Sequence, residues 1–229
     1  MAFTLAQAEI LTLTRTGNTF VATLASAVTV GNALVAVSIY TSASRPITSA
    51  VVTTGSVAMT QAGNELVDVS EGQYGMIHYL PAITSSTQQT VTITYTAGAP
   101  VGNLWLGEIV VPAGYIFSYV SEHDSTSASA LDVVNTFDTS TPSASANAFA
   151  WYIMSTGGNE PGAPTGAQTW ADVNFTNISS WMRGGYCLDT GSAGSKTVTG
   201  TKADFGAYDT TVKWFNASPT QGNIAWIRA

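Results

Sequence analysis

Apolar and small polar residues alternate along most of this chain with a period of two, the spacing of strands that bury one face. The pattern is plainest in Thr90–Thr96, where Val91, Ile93 and Tyr95 sit between threonines. Thr19–Leu24 repeats it, and Asn32–Tyr40 sets Leu34, Ala36, Ser38 and Tyr40 on one side, after a Gly31-Asn32 turn. Ile47–Thr53, Val57–Thr60, Gly75–Leu80, Leu131–Phe137, Ser180–Leu188, Lys196–Thr201, Thr211–Phe215 and Asn223–Arg228 read as further strands. Ala148–Ser155, AFAWYIMS, reads as a buried one. Leu104–Val111 and Ile116–Ser121 flank Pro112-Ala-Gly-Tyr115 and predict a hairpin, in which Glu108 would face Tyr119 and Trp105 would face Glu122. Ser125–Ala130, Thr139–Ser145 and Gly157–Gly166 read as loops, the last with Pro161 and Pro164. Helical periodicity is almost absent; only Leu5–Leu13 has modest helix propensity, and its alternation is ambiguous.

About a dozen short strands separated by regular turn signals predict an all-β fold, an antiparallel β-sandwich with jelly-roll-like connections. No repeat of fixed period and no interdomain linker stand out. Residues 19–229 are expected to form a single sandwich, and residues 1–18 an N-terminal segment whose Ala2–Leu13 stretch meets neighbouring subunits.

Composition narrows the function. Charged residues make up 9% of the chain, against roughly 25% in ordinary globular proteins. Thr (33), Ser (23), Ala (31) and Gly (21) take their place and supply nearly half of the 229 residues. Such a surface hydrates through hydroxyls and amides and offers little like-charge repulsion when copies pack side by side. Seven basic residues against 14 acidic ones, a net charge of −7, argue against nucleic acid and anionic membranes as partners. One cysteine, Cys187, excludes an internal disulfide. The opening MAFTLAQAEI has no basic or apolar signal region, and no apolar run is long enough to span a bilayer, so synthesis in a cytoplasm is expected. Asn174, Asn177 and Asn216 match the glycosylation acceptor, a match that a Ser- and Thr-rich chain produces by chance.

Catalytic signals are poor, and a non-enzymatic protein without cofactor or metal is expected. Two distant histidines, His78 and His123, and one cysteine do not make a zinc set. Neighbours in Glu122-His123-Asp124 point to opposite faces of a strand and do not converge. Glu65, Asp68 and Glu71 are spaced so that Asp68 faces away from the glutamates. Asp132, Asp138, Asp172, Asn174 and Asp189 offer loop oxygens but no D-x-D-x-D run for calcium, and read as solvated turn residues. No G-x-S-x-G elbow and no strand–Gly-rich loop–helix phosphate site occur. Trp151, Trp214 and Trp226 lie in strands and read as core. Trp170 and Trp181, with Asp172 and Asn174 at hand, are candidate sugar contacts: an indole face meets sugar C–H groups while amides and carboxylates bond hydroxyls. The competing reading makes such a Trp a lid folded onto one end of the sandwich.

The segment Ala27-Val-Thr-Val-Gly-Asn-Ala-Leu-Val-Ala-Val37 resembles the "v-t-a-G-N-L-L-V-v" opening of a jelly-roll domain found in phage virion proteins and bacterial surface proteins. Ile47-Thr-Ser-Ala-Val51 is similar to that family's I-T-S-V strand, His78-Tyr-Leu-Pro81 to its Tyr-ended strand, and Val91–Thr94 to its V-T-I-T strand. Leu131-Asp-Val133 with Thr141-Pro142, and the terminal Trp226-Ile-Arg-Ala229, continue the likeness over most of residues 19–229. Where the family often has a D-S-x-G-N-x-Y/W turn, this chain has Val52-Thr-Thr-Gly-Ser56. The family supplies no catalytic residues. The resemblance implies a virion surface protein made in the bacterial cytoplasm: a head decoration, head spike or tail and fibre component. Other virion subunits and further copies of itself would be its partners, with host polysaccharide as a further contact. The alternative is a carbohydrate-binding module or lectin-like adhesin.

Overall fold

A computed structural model describes residues 3–13, 19–41, 47–52, 55–68, 72–95, 101–127, 132–138, 148–156, 160–175, 181–188, 190–192, 194–201 and 208–220. Every regular element among them is a strand. The first ten are β1 (Thr4–Leu13), β2 (Thr19–Thr23), β3 (Ala33–Thr41), β4 (Ile47–Val52), β5 (Val57–Ala58), β6 (Thr60–Gln61), β7 (Leu66–Asp68), β8 (Gln73–Leu80), β9 (Thr90–Tyr95) and β10 (Val101–Val110). The remaining seven are β11 (Tyr115–Ser127), β12 (Asp132–Asp138), β13 (Phe149–Thr156), β14 (Ala171–Asn174), β15 (Trp181–Cys187), β16 (Ser195–Thr201) and β17 (Tyr208–Pro219). The Thr139–Ser145 loop and the Asn223–Arg228 strand expected from sequence, with Trp226 and Asn177, lie outside the described residues.

The strands pair antiparallel throughout, and the expected all-β antiparallel sandwich is what the chain forms. In the first half, one sheet runs β1-β10-β3-β8-β6, with β7 also on β8, and the other runs β2-β9-β4-β5. Chain neighbours such as β1 and β2, or β8 and β9, therefore sit in opposite sheets, which is the jelly-roll arrangement. In the second half, β11-β17-β13-β15-β14 forms one sheet and β12-β16 the other. The order repeats: in each half the first strand pairs with the last, the last with the third, and the third with a later strand that precedes the last two. This repeat is topological, carried by connections of different length, so it leaves no fixed period in the sequence.

Hydrophobic pattern explains the layering. The outer strands alternate: β2 buries Phe20 and Ala22 between exposed neighbours, β9 buries Val91, Ile93 and Tyr95, and β16 buries Lys196, Val198 and Gly200. By contrast β3 and β13 are buried on both faces, as near-continuous apolar runs must be. Leu34, Ala36 and Tyr40 of β3 pack with Phe20, Val91, Ile93 and Tyr95 in the first sandwich. Its opposite face, Ala33, Val35, Val37 and Ile39, packs with Phe149, Trp151, Ile153 and Phe215 from the second half. The other face of β13, Ala150, Tyr152 and Met154, joins Val198, Val212 and Trp214. Four layers result, with two sandwiches joined back to back through an aromatic seam. Trp105 and Trp151 meet across it at 4.5 Å between ring centroids, and Tyr79 lies edge-on to Phe117 and Phe215. Gly75 lets the two halves approach closely; a Cβ there would lie 3.2 Å from Ile153.

Two sequence expectations change. First, β10 and β11 do not form a hairpin: β10 pairs with β1 and β3, and β11 with β17. The Pro112–Tyr115 turn, closed by the Tyr115 amide on the Pro112 carbonyl at 3.1 Å, carries the chain from one sandwich to the other. Burying the apolar faces of both strands against different partners outweighs pairing them with each other. Glu108 accordingly lies against Gln7, Thr29 and Asn32, which donate to its carboxylate at 2.6–2.8 Å, and not opposite Tyr119. Second, β1 belongs to the segment 1–18 set apart from a single sandwich over 19–229, yet its hydrogen bonds to β10 make it an edge strand of the first sandwich. The sheets divide the chain around residues 111–114 instead.

Candidate functional site

The candidate sugar contacts gather at one edge of the second sandwich. β14 is the edge strand there, pairing Ala171–Asn174 with Arg183–Tyr186 of β15. Strand alternation puts residues 170, 172 and 174 on one side and Val173 on the other, where it enters the aromatic seam. Asp172 and Asn174, read from sequence as turn residues, lie instead within β14, on the side opposite Val173. The Trp181 backbone opens β15, and its side chain lies outside the described residues.

The polar members are already occupied. Asp172 accepts two hydrogen bonds from Arg183, Nε to Oδ1 at 2.8 Å and Nη2 to Oδ2 at 2.5 Å, a bidentate pair. Arg183 also donates to the Pro161 carbonyl at 3.0 Å and reaches Glu160 at 3.4 Å, and Asn174 donates to Glu160 at 2.9 Å. The Asp172 carboxylate holds the guanidinium above its ordinary pKa. This network ties β14 and β15 to residues 160–161. Beyond them, Gly162 donates to Thr201 at 2.7 Å, and Thr165 and Thr199 exchange backbone bonds at 2.8 and 2.9 Å. The described part of the long surface loop therefore runs beside β16 and widens the two-stranded sheet. Pro161 and Pro164 are buried under it. Trp170 folds inward as well, edge-on to Tyr152 at 6.4 Å. It behaves as the lid of the alternative reading.

Next to this network is a pocket of about 640 Å³. β14 begins at Ala171, opposite Tyr186, so the chain after Tyr186 runs past its end and leaves a gap. Residues 167–169 with Leu188, Thr190, Gly191 and Ser192 close the gap into a pocket, and Lys196 of β16 forms its far wall. Lys196 is 9% exposed, on the inward side of β16 in phase with Val198. Among the described residues no carboxylate forms an ion pair with it. Gln168 lines the same pocket, and its amide oxygen is buried without a hydrogen-bond partner among the described residues. Tyr186 gives a rigid wall, stacked on Trp151 at 5.4 Å and 17°. Sequence reasoning passed over these residues. The available signal was a lysine in the inward phase of an alternating strand, SKTVTGT.

Other buried polar groups lie between the two sandwiches. Lys213, fully buried, pairs with Glu122 at 2.5 Å and donates to the Asn64 carbonyl, while Asn64 donates back to Glu122 through its side-chain amide at 2.6 Å. Gly63 turns this corner in the left-handed region at φ 63°, and a Cβ there would strike the Glu122 carboxylate. His123 points away from Glu122, as strand alternation requires, while Asp124 lies on the Glu122 side; both His123 and Asp124 are exposed. Further along the seam, the buried Ser155 hydroxyl donates to Asp68 at 2.7 Å, with Gln73 Oε1 at 2.6 Å, and Asp209 pairs beside Ser155 across the strands. Burial, and then the charge of Asp68, raise the Asp209 carboxyl to about 6. These groups join sheets and open on no pocket described here. Among the described residues no three His, Cys, Asp or Glu side chains gather to hold a metal ion.

No family model matches the chain, and no curated protein matches it. Among solved structures, a chain of cucumber leaf spot virus is similar at 13% identity over 99% of this chain and 93% of that one, with a TM-score of 0.19. A likeness at that score carries no argument about fold or function.

Proposed function

We propose that this chain is a non-enzymatic surface protein of a phage particle, a head decoration, head spike or tail and fibre component, that works as a homo-oligomer. The observation that carries the reading is the pair of jelly-roll sandwiches fused back to back, with a charge-poor, Thr- and Ser-rich exterior. Such a body is rigid and can pack side by side without charge repulsion. The motif resemblance across residues 27–51, 78–94 and 131–142 supports the same setting. Among the described residues β1 has no strand on its outer edge, which carries neither proline nor lysine, though Glu9 and an irregularity between Leu5 and Gln7 interrupt it. Ile10 on that edge is 48% exposed, and Val21, Val30 and Val110 add exposed apolar surface elsewhere on the first sandwich. Light scattering on the purified chain tests the assembly: a closed oligomer with a mass that is a multiple of 23.8 kDa is expected. A monomer at every concentration would contradict it.

A second reading, a carbohydrate-binding module, is favoured by the pocket beside β14. Its hydroxyl and amide walls and its Tyr186 surface suit a sugar better than the Asp172 and Asn174 side chains do, because Arg183 and Glu160 already engage those. Both readings hold together if the particle touches host polysaccharide.

A further inference from the structure

We propose, resting on the carbohydrate-binding reading, that the pocket between residues 167–169 and Leu188, Thr190, Gly191 and Ser192 takes a sugar that carries a carboxylate, with Lys196 as its counter-ion. Three observations converge. Lys196 lines the pocket from the inner phase of β16, and among the described residues no carboxylate forms an ion pair with it. An unpaired ammonium in a partly enclosed pocket attracts an anion more strongly than one in open water does. The remaining wall is neutral and rich in hydrogen-bonding groups: Gln168 with its unsatisfied amide oxygen, Thr169 and Ser192. A sugar ring offers hydroxyls to match such donors and acceptors, which a bare anion does not. Tyr186 and Leu188 supply apolar surface for the C–H face of the ring. Finally, about 640 Å³ falls within the range of small-molecule sites. A single ammonium matches one carboxylate, and the pocket wall contains no arginine fork of the kind that favours phosphate.

The test is an NMR-detected titration of the full ¹⁵N-labelled chain. Glucuronic acid and N-acetylneuraminic acid are the acidic sugars, glucose is the neutral one, and acetate and inorganic phosphate are bare anions. The acidic sugars should bind about tenfold or more tighter than glucose, and salt should weaken them. Lys196→Gln should remove that preference, and Ser192→Trp, at an exposed rim position, should block the pocket while the fold is retained. If Lys196→Gln unfolds the chain, Ser192→Trp alone decides whether the pocket is the site, and the salt dependence decides whether charge matters. Equal binding of glucose and glucuronic acid would overturn the inference and leave the carbohydrate reading standing. Acetate or phosphate binding as tightly as the acidic sugars would overturn it in favour of a simple anion site. Failure of every sugar would overturn both, and none of these outcomes touches the particle reading, which rests on assembly.

Discussion

Burial moves two titratable side chains in opposite senses. His78 is lowered from 6.5 to about 4, first by burial and then by the charge of Lys213. The folded chain therefore keeps His78 neutral where the unfolded chain protonates it, and stability falls as pH drops from about 6.5 towards 4. Asp209 is raised from 3.8 to about 6, so the folded chain holds a proton that the unfolded chain has released. Its contribution is lost as pH rises through that window. At neutral pH, Asp209→Asn should raise the melting temperature, and the gain should vanish near pH 3. His78→Gln, in turn, should flatten the acid limb between pH 6.5 and 4. Thermal melts across pH measure both, and an Asp209→Asn gain equal at pH 3 and pH 7 would refute the assignment. Lys213 and Glu122 form a second residue-scale device. Removing one member of a buried pair leaves the other charge stranded, so Lys213→Met should cost about 3–5 kcal/mol in denaturant titration. The double variant Lys213→Met with Glu122→Gln should recover part of that loss. A cost below 1 kcal/mol for the single variant would show the pair to be dispensable.

Strand identity was legible because outer strands alternate and inner strands do not. Thr90–Thr96 announced β9, and AFAWYIMS announced a strand with no wet face. Asn32–Tyr40 held the clue to the third and fourth layers: Leu34, Ala36 and Tyr40 suffice for one sandwich, and Val35, Val37 and Ile39 on the other side need a second. The partner of each strand was not legible. Leu104–Val111 and Ile116–Ser121 have the length and turn of a hairpin, and local pattern cannot reveal that each strand has a longer-range partner. The pocket was hidden for the same reason, since residues 167–169, Tyr186, Leu188, 190–192 and Lys196 meet only once β14 stops short of β15. Trp170, Asp172 and Asn174 were near neighbours in sequence, but Arg183 and Glu160, which engage the polar pair, sit on other segments. At this scale β1 makes its own prediction. If its free edge joins copies, Ile10→Lys should reduce the native mass to that of one chain and leave the melting temperature nearly unchanged. An unaltered oligomer would place the contact elsewhere.

The whole molecule is two jelly rolls that share one aromatic seam. Phe117 and Phe215 stack at 4.7 Å within the seam, and Trp105 and Trp151 close it from opposite halves. A seam of this kind makes one stiff body from a chain with few charges, and stiffness with few surface charges suits a repeated part of a larger particle. The pocket lies at the edge of the second sandwich, and the free β1 edge belongs to the first. Assembly through one and ligand contact through the other can therefore coexist. If the chain is built into a phage particle, as we propose, its copy number there is fixed. Quantitative mass spectrometry of purified particles, from the culture that makes this chain, should find it at a fixed ratio to the major capsid subunit and in multiple copies. Its absence from the particles, or a trace that washes away with further purification, would contradict the account.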